Sequence, residues 1–259
     1  MSDKHVNLII TVRNRVQHFM QTFPSFITQY GINYNIVLVD FGSNDNFLEI
    51  LNKEIKCRKI MFSPYLKDIT CIRKIGKIKF NPRSAKNLGV FCVKDYGHIL
   101  AFSDVDTFIG MDYICYWSNR IEKNKSFFTT RQQESMAALP KRLKPEINYG
   151  NVIVFKSDFM KINGWDESVN YYGGDDDDLF HRLKLMGLRE INPITYQQAK
   201  QYSILHGDEL RTRYMKTVNK VDKKKSFSAI YNNKNFRNSK CDHLRFPNEF
   251  KIYKCHSGN

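Results

Sequence analysis

The chain has 259 residues, of which 42% are hydrophobic and 14% aromatic, which excludes a disordered polymer or a peptide-scale scaffold and suffices for one large α/β domain or two small ones. Lys and Arg number 41 against 26 Asp and Glu, a formal charge of +15 that points to an anionic partner: nucleic acid, phospholipid, nucleotide or acidic glycan. The cysteines (Cys57, Cys71, Cys92, Cys115, Cys241, Cys255) form no CxxC or Cys/His cluster of zinc spacing, which favours a reducing compartment, and no window approaches the roughly 18–20 apolar residues of a membrane span.

Val6 to Val12 is a nearly unbroken β-branched run, as expected of a parallel strand buried on both faces. After the polar turn Arg13-Asn14-Arg15, residues Phe19, Phe23, Phe26, Ile27 and Tyr30 recur at helical spacing, with Gly31 as a stop, and Asn35 to Val39 reads as a second strand. A weaker helix over 46–55, a strand near Lys59–Phe62, a helix around Ser84–Val93 and a strand from His98 to Phe102 continue the alternation. This order predicts a mostly parallel sheet flanked by helices, with ligands at the carboxyl ends of the strands. Those ends are polar: Thr11 to Arg15, Asp40 to Asp45, and Ser103 to Asp106.

Beyond residue 207 the composition shifts. Residues 211–259 hold 13 Lys and Arg against three acids, Asp222, Asp242 and Glu249. The stretch reads as an appendage that packs on the core, lies on an anionic surface, or stays a solvated basic tail.

Three constellations carry chemistry. Asp104 and Asp106 follow the apolar strand, and strand alternation would send both to one side, where two hard oxygen ligands suit Mn²⁺ or Mg²⁺ bridging a diphosphate. The competing reading is a polar strand end with a helix cap. Asp175 to Asp178 open a helix whose apolar face is Leu179, Leu183 and Met186. The helix N-terminus stabilises one or two carboxylates, but four together repel and should raise at least one pKa, the environment of a general base. An acidic cap or a calcium-binding run is the bland alternative. His206 is either a structural histidine or a neutral imidazole ligand that closes on Asp106.

The ordered set resembles nucleotide-sugar glycosyltransferases of the GT-A fold, most closely the beta-1,4-galactosyltransferase family and the related modules of bacterial chondroitin polymerases. The resemblance rests on Ile9 to Arg15, Phe80 to Gly89, Phe102 to Asp106, Ile162 to Trp165 leading into Gly173 to Leu183, and His206. Val39 to Asp45 resembles instead the signature of glycosyltransferase family 2. The resemblance implies an α/β GT-A catalytic domain over residues 1–208, with a nucleotide-binding half (1–106) and an acceptor and catalytic half (107–208), followed by a basic extension (209–259). It also implies roles. Thr11, Arg13 and Arg15 line the uridine and diphosphate pocket, Asp40 meets the uracil or ribose, Arg83, Lys86, Asn87 and Gly150 form the donor wall, and Asp104 faces the ribose. Asp106 and His206, with Asp104 beside them, hold Mn²⁺ or Mg²⁺. Asp176 is the catalytic base, and Tyr172, Gly174, Asp175 and Asp177 hold sugar and acceptor hydroxyls.

The implied reaction is inverting transfer from a UDP-sugar to a glycan or glycolipid hydroxyl, giving a β-glycoside. Departures from the pattern bear on specificity. Tyr172 stands where the family carries Trp, and Ile147 stands where a Tyr accompanies galactose preference, which leaves room for an N-acetyl group and hints at UDP-GalNAc. A cytoplasmic enzyme, free or at an anionic membrane surface through residues 211–259, is the expected setting. Two other classes fit parts of the sequence: a metal-dependent nucleotidyltransferase, and a nucleic-acid-binding module using the basic tail. Against the latter, no ribonucleoprotein motif is present and the acids collect where a nucleic acid would be repelled.

Overall fold

In the computed structural model the described residues are 4–76, 81–93, 98–130, 150–167, 174–204 and 250–257. The first βαβ unit forms as the hydrophobic pattern predicts: β1 (His5–Val12), α1 (Val16–Ile27) and β2 (Asn33–Asp40). Then come α2 (Phe47–Arg58), β3 (Leu66–Lys74), α3 (Pro82–Cys92), β4 (Ile99–Asp104), β5 (Thr107–Ile109), α4 (Tyr113–Ser118) and β6 (Ser126–Thr129). The chain continues through β7 (Val152–Phe155), α5 (Lys156–Lys161), α6 (Asp175–Leu185), β8 (Arg189–Ile191), a single turn α7 (Tyr196–Ala199), β9 (Gln201–Ser203) and β10 (Phe250–Ser257).

Eight strands form one sheet in the order β10-β3-β2-β1-β4-β7-β6-β8, and β5 pairs with β9 beside it. β3, β2, β1 and β4 are mutually parallel, β7 is antiparallel to β4 and to β6, and β8 is parallel to β6. The carboxyl ends of β1, β2, β4 and β6 and the start of β7 therefore share one edge. Alternation along β1 supplies both faces of the core. Val6, Leu8, Ile10 and Val12 pack with Phe19, Phe23 and Phe26 of α1 on one side, and Ile9 packs with Leu88, Phe102 and Trp165 on the other. Helix α3 lies close to the sheet because Gly89 has no side chain: a Cβ there would meet Ile9 Cγ2 at 2.7 Å and Val39 Cγ2 at 3.0 Å. The amino end of α3 lies at the polar edge because the helix follows the carboxyl end of β3, which is parallel to β2.

One expectation is corrected. Lys59–Met61 is a 3₁₀ turn rather than a strand, with Ile60 95% exposed, and the third strand lies further on, at Leu66–Lys74, beyond Pro64. An apolar tetrapeptide beside a proline has too few ladder partners to hold a strand, whereas Leu66, Ile69, Cys71 and Ile72 all bury their side chains. The end of the basic stretch packs on the sheet, one of the readings its composition left open. β10 pairs antiparallel with β3, placing Ile252 opposite Ile72 and Tyr253 opposite Cys71, so the sheet extends across the expected boundary at residue 208. Residues 205–249 lie outside the described residues.

Candidate active site

The loops after β1 and β2 are stitched together at the polar edge. Asn14, at φ +50°, donates its N–H to Ser43 Oγ (3.0 Å) and accepts the N–H of Asn44 on its side chain (2.8 Å), while Asp45 accepts the N–H of Val16 (2.9 Å) at the start of α1. Thr11, buried, sits beside Asp104 in the sheet register, and Arg13 and Arg15, half-buried, follow it in the loop. Arg15 Nη1 lies 3.8 Å from Asp106 Oδ2. Asp104 ends β4, and Asp106 lies in the turn before β5. Strand alternation therefore does not by itself fix the side taken by Asp106; Asp104 acts on Lys86 and Asp176, and Asp106 lies beside Arg15.

Helix α3 presents Arg83, Lys86 and Asn87 on one face at i, i+3 and i+4. Its amino end is capped by Asn81, which accepts the N–H groups of Arg83 (3.0 Å) and Ser84 (3.3 Å). Opposite stands α6, entered through Gly174 at φ +81°. Arg83 Nη2 is 3.5 Å from Asp175 Oδ1, and Lys86 Nζ is 3.6 Å from Asp176 Oδ1 and 4.2 Å from the centre of the Trp165 ring. Burial pushes the Lys86 ammonium down, but the carboxylates of Asp176, Asp104 and Asp175 outweigh it and the net shift is upward. Asp176 moves the other way from an ordinary carboxylate. Removal from water, then the charge of Asp175, raise it against the pull of Lys86 to about 7. Its Oδ1 has no hydrogen-bond partner among the described residues.

The four acids divide by environment. Asp178 is buried and paired with Arg182 at 2.7 and 2.9 Å, and the Arg182 guanidinium also donates to the carbonyls of Ile162 (3.0 Å) and Gly164 (2.8 Å). That residue anchors α6. Asp175, Asp176 and Asp177 keep contact with solvent at the helix start.

Two expected donor contacts are occupied within the protein. Asn87 is 1% exposed. It donates to Trp165 O and Glu167 Oε1, both at 2.8 Å, and accepts the Trp165 N–H at 2.9 Å, so it holds the turn ahead of α6 rather than offering a free amide. Asp40 is fully buried, accepts the Ser43 N–H at 2.8 Å and lies 3.5 Å from Arg73 Nε, which shapes the loop after β2. Arg73, Glu167 and Trp165 were not assigned roles from sequence. Arg73 was findable once β2 and β3 were paired, since it stands directly opposite Asp40. Gly150 is buried at the start of β7. Tyr172 and His206 lie outside the described residues. Ile204, two residues before His206, donates its N–H to Asp106 O at 2.8 Å.

A divalent cation would need hard oxygen ligands, and Asp104 and Asp106 supply that chemistry at the strand end. Among the described residues, no three His, Cys, Asp or Glu side chains group to complete a site.

The profile of the N-terminal domain of galactosyltransferase matches residues 137–207. Uncharacterised glycosyltransferases of Rickettsia felis and Rickettsia bellii are each 27% identical to this chain, over 50% and 41% of its length. These stretches are only 19% and 13% of the relatives' own length. Among solved structures, a mannosyltransferase of Pyrobaculum calidifontis with GDP-Man and Mn²⁺ superposes with a TM-score of 0.57 at 14% identity, covering 73% of this chain and 54% of that one. A variant of Drosophila beta-1,4-galactosyltransferase 7 with manganese, UDP-Gal and xylobiose gives 0.57 at 16% identity, covering 92% and 82%. Staphylococcus aureus TarS gives 0.52 at 13% identity, covering 87% and 69%. The chain has the GT-A glycosyltransferase fold, and its residues 137–207 match the galactosyltransferase profile.

Proposed function

We propose that the protein transfers a hexose, Gal or GalNAc, from a UDP-sugar to a hydroxyl of a glycan or glycolipid, with inversion to a β-glycoside. The observation that carries this reading is the meeting of Lys86 from α3 with Asp104 from β4 and Asp175 and Asp176 from α6, at the polar edge of a GT-A sheet. Asp176 takes the proton of the acceptor hydroxyl, a weak nucleophile until a carboxylate does so, and a pKa of about 7 suits a base working near neutral pH. Arg83, Lys86, Arg13 and Arg15 offset the negative charge of the diphosphate, and Thr11 and Asp104 border the nucleoside. Asp175 and Asp177 hold sugar hydroxyls beside the base, with Tyr172 and Gly174 on the acceptor side.

Asp106, Asp104 and His206 would hold Mn²⁺ or Mg²⁺, which supplies Lewis-acid neutralisation of the departing diphosphate when bound. The hydrogen bond from Ile204 to Asp106 supports that set, because it brings the chain to the Asp106 end two residues before His206. The manganese named with the Pyrobaculum and Drosophila enzymes supports it as well.

The test is nucleotide release from UDP-Gal, UDP-GalNAc, UDP-Glc, UDP-GlcNAc and GDP-Man, with Mn²⁺ or with chelator. UDP release from UDP-Gal or UDP-GalNAc that needs metal and disappears in Asp106→Ala is expected. Pyrophosphate as the product would instead indicate nucleotidyl transfer, and release insensitive to Asp106→Ala would remove that residue from the site.

A further inference from the structure

The edge of the sheet opposite the site carries a second feature. Helices α1 and α2 run back from the polar edge, so their carboxyl ends and the start of β3 lie at the far pole. Three loop tips meet there. Ser63 donates its N–H to Ile27 O (2.9 Å), Tyr30 to Met111 O (2.9 Å), and Tyr34 to Tyr65 O (3.0 Å), while Gln29 Nε2 donates to Gly110 O (2.7 Å). These bonds join the loop tips that carry the exposed side chains of Tyr30, Ile60, Met61, Tyr65 and Met111, with Ile60 at 95% and Met111 at 59%. Single exposed apolar residues are ordinary, but five on adjoining tips form a patch that water disfavours.

Among the described residues, the charges beside the patch that stand outside ion pairs are lysines. Lys53, Lys56 and Lys59 are exposed on α2 and its 3₁₀ extension, and Lys67 donates to Pro64 O at 2.9 Å beside the tip. The acids of this pole are engaged: Glu54 with Arg58 at 2.5 Å, Asp112 with Lys200 at 2.6 Å, and Asp68 with Lys254. Apolar tips with interfacial tyrosines beside a row of lysines match the boundary of an anionic bilayer, where the lysine stems lie along apolar surface and their ammonium groups reach phosphate.

We propose that this pole is a membrane-docking surface that takes anionic phospholipid headgroups on Lys53, Lys56, Lys59 and Lys67 and buries Ile60, Met61 and Tyr65 at the headgroup boundary. The sheet then stands with its polar edge away from the bilayer, and the acceptor hydroxyl reaches the site from the aqueous side. This docking does not use the lysines of residues 211–249 or the chemistry at Asp176.

The experiment is cosedimentation of the full chain with phosphatidylcholine vesicles containing phosphatidylglycerol, against pure phosphatidylcholine, at low and high salt. Binding to the anionic vesicles alone is expected, weakening with salt. A Lys53→Gln, Lys56→Gln, Lys59→Gln variant loses roughly fivefold in affinity per lysine, and Ile60→Ser with Met61→Ser reduces binding further, both with an unchanged melting temperature. Wild-type affinity in these variants, with loss in a Lys223→Gln, Lys224→Gln, Lys225→Gln control, would overturn the proposal in favour of the basic stretch. A concentration-dependent dimer abolished by the Ile60 and Met61 changes, with no vesicle binding, would overturn it in favour of a second copy of this chain, and binding to neither vesicle by wild type would overturn it outright.

Discussion

At Asp176, loss of hydration and the neighbouring Asp175 carboxylate favour the protonated form against the attraction of Lys86, and the balance lies at about 7. The native state therefore holds a proton that the unfolded chain, with a carboxyl near 3.9, has released across the interval between these values. More protons bound in the native state means that stability falls as pH rises from about 4 to about 7, then levels off. Asp176→Asn is expected to gain about 1–2 kcal/mol above pH 7, after allowing for the side chain's partial exposure, and nothing below pH 4. Urea denaturation at pH 8 and pH 4 checks this. Asn87 makes the opposite case, a polar group whose value is structural. Its two hydrogen bonds to Trp165 are buried and the one to Glu167 is partly so, and Asn87→Ala is expected to destabilise by about 2–3 kcal/mol in the same assay. Sequence could propose Asn87 and Asp40 as polar residues at the site's edge. It could not show that Asn87 is consumed by Trp165 and Glu167, or that Asp40 is shared between the Ser43 N–H and Arg73.

Helix α6 combines both kinds of residue within one turn. Asp178 and Arg182 form a buried i, i+4 pair that also ties down the carbonyls of Ile162 and Gly164, while the three preceding acids keep contact with solvent at the helix start. Arg182→Met leaves the Asp178 charge buried without its counterion, so a loss of about 3–5 kcal/mol is expected, read as a lowered urea midpoint. The i, i+4 spacing was visible in the sequence and could have separated Asp178 from the others. The elements themselves were legible where the hydrophobic period was long and unbroken, as in β1, α1 and β2. They were obscured where a short apolar run, Lys59–Phe62, imitated a strand, and where β10 lay in a stretch dominated by lysine and arginine. β10 depends on a partner that is distant in sequence, and no local pattern gives that pairing. Truncation before Phe250 exposes the edge of β3, and a lower melting temperature with faster aggregation on heating is expected.

Across the whole molecule, Asp104, Lys86 and Asp176 come from three separate segments, and their meeting depends on β4 lying beside β1, on α3 pressing close over Gly89, and on α6 being held by Arg182. The order of these blocks in the sequence pointed to the fold and to most of the polar edge. The most direct measurement of the central claim is the pH dependence of turnover with saturating UDP-sugar, compared between wild type and Asp176→Asn, alongside UDP affinity. Turnover is expected to rise with pH through an inflection near 7 in the wild type, as Asp176 loses its proton, and to fall by roughly 10²–10⁴-fold with the inflection gone in the variant, at unchanged UDP affinity. A variant that keeps wild-type turnover and the same inflection would contradict the assignment of Asp176 as the base.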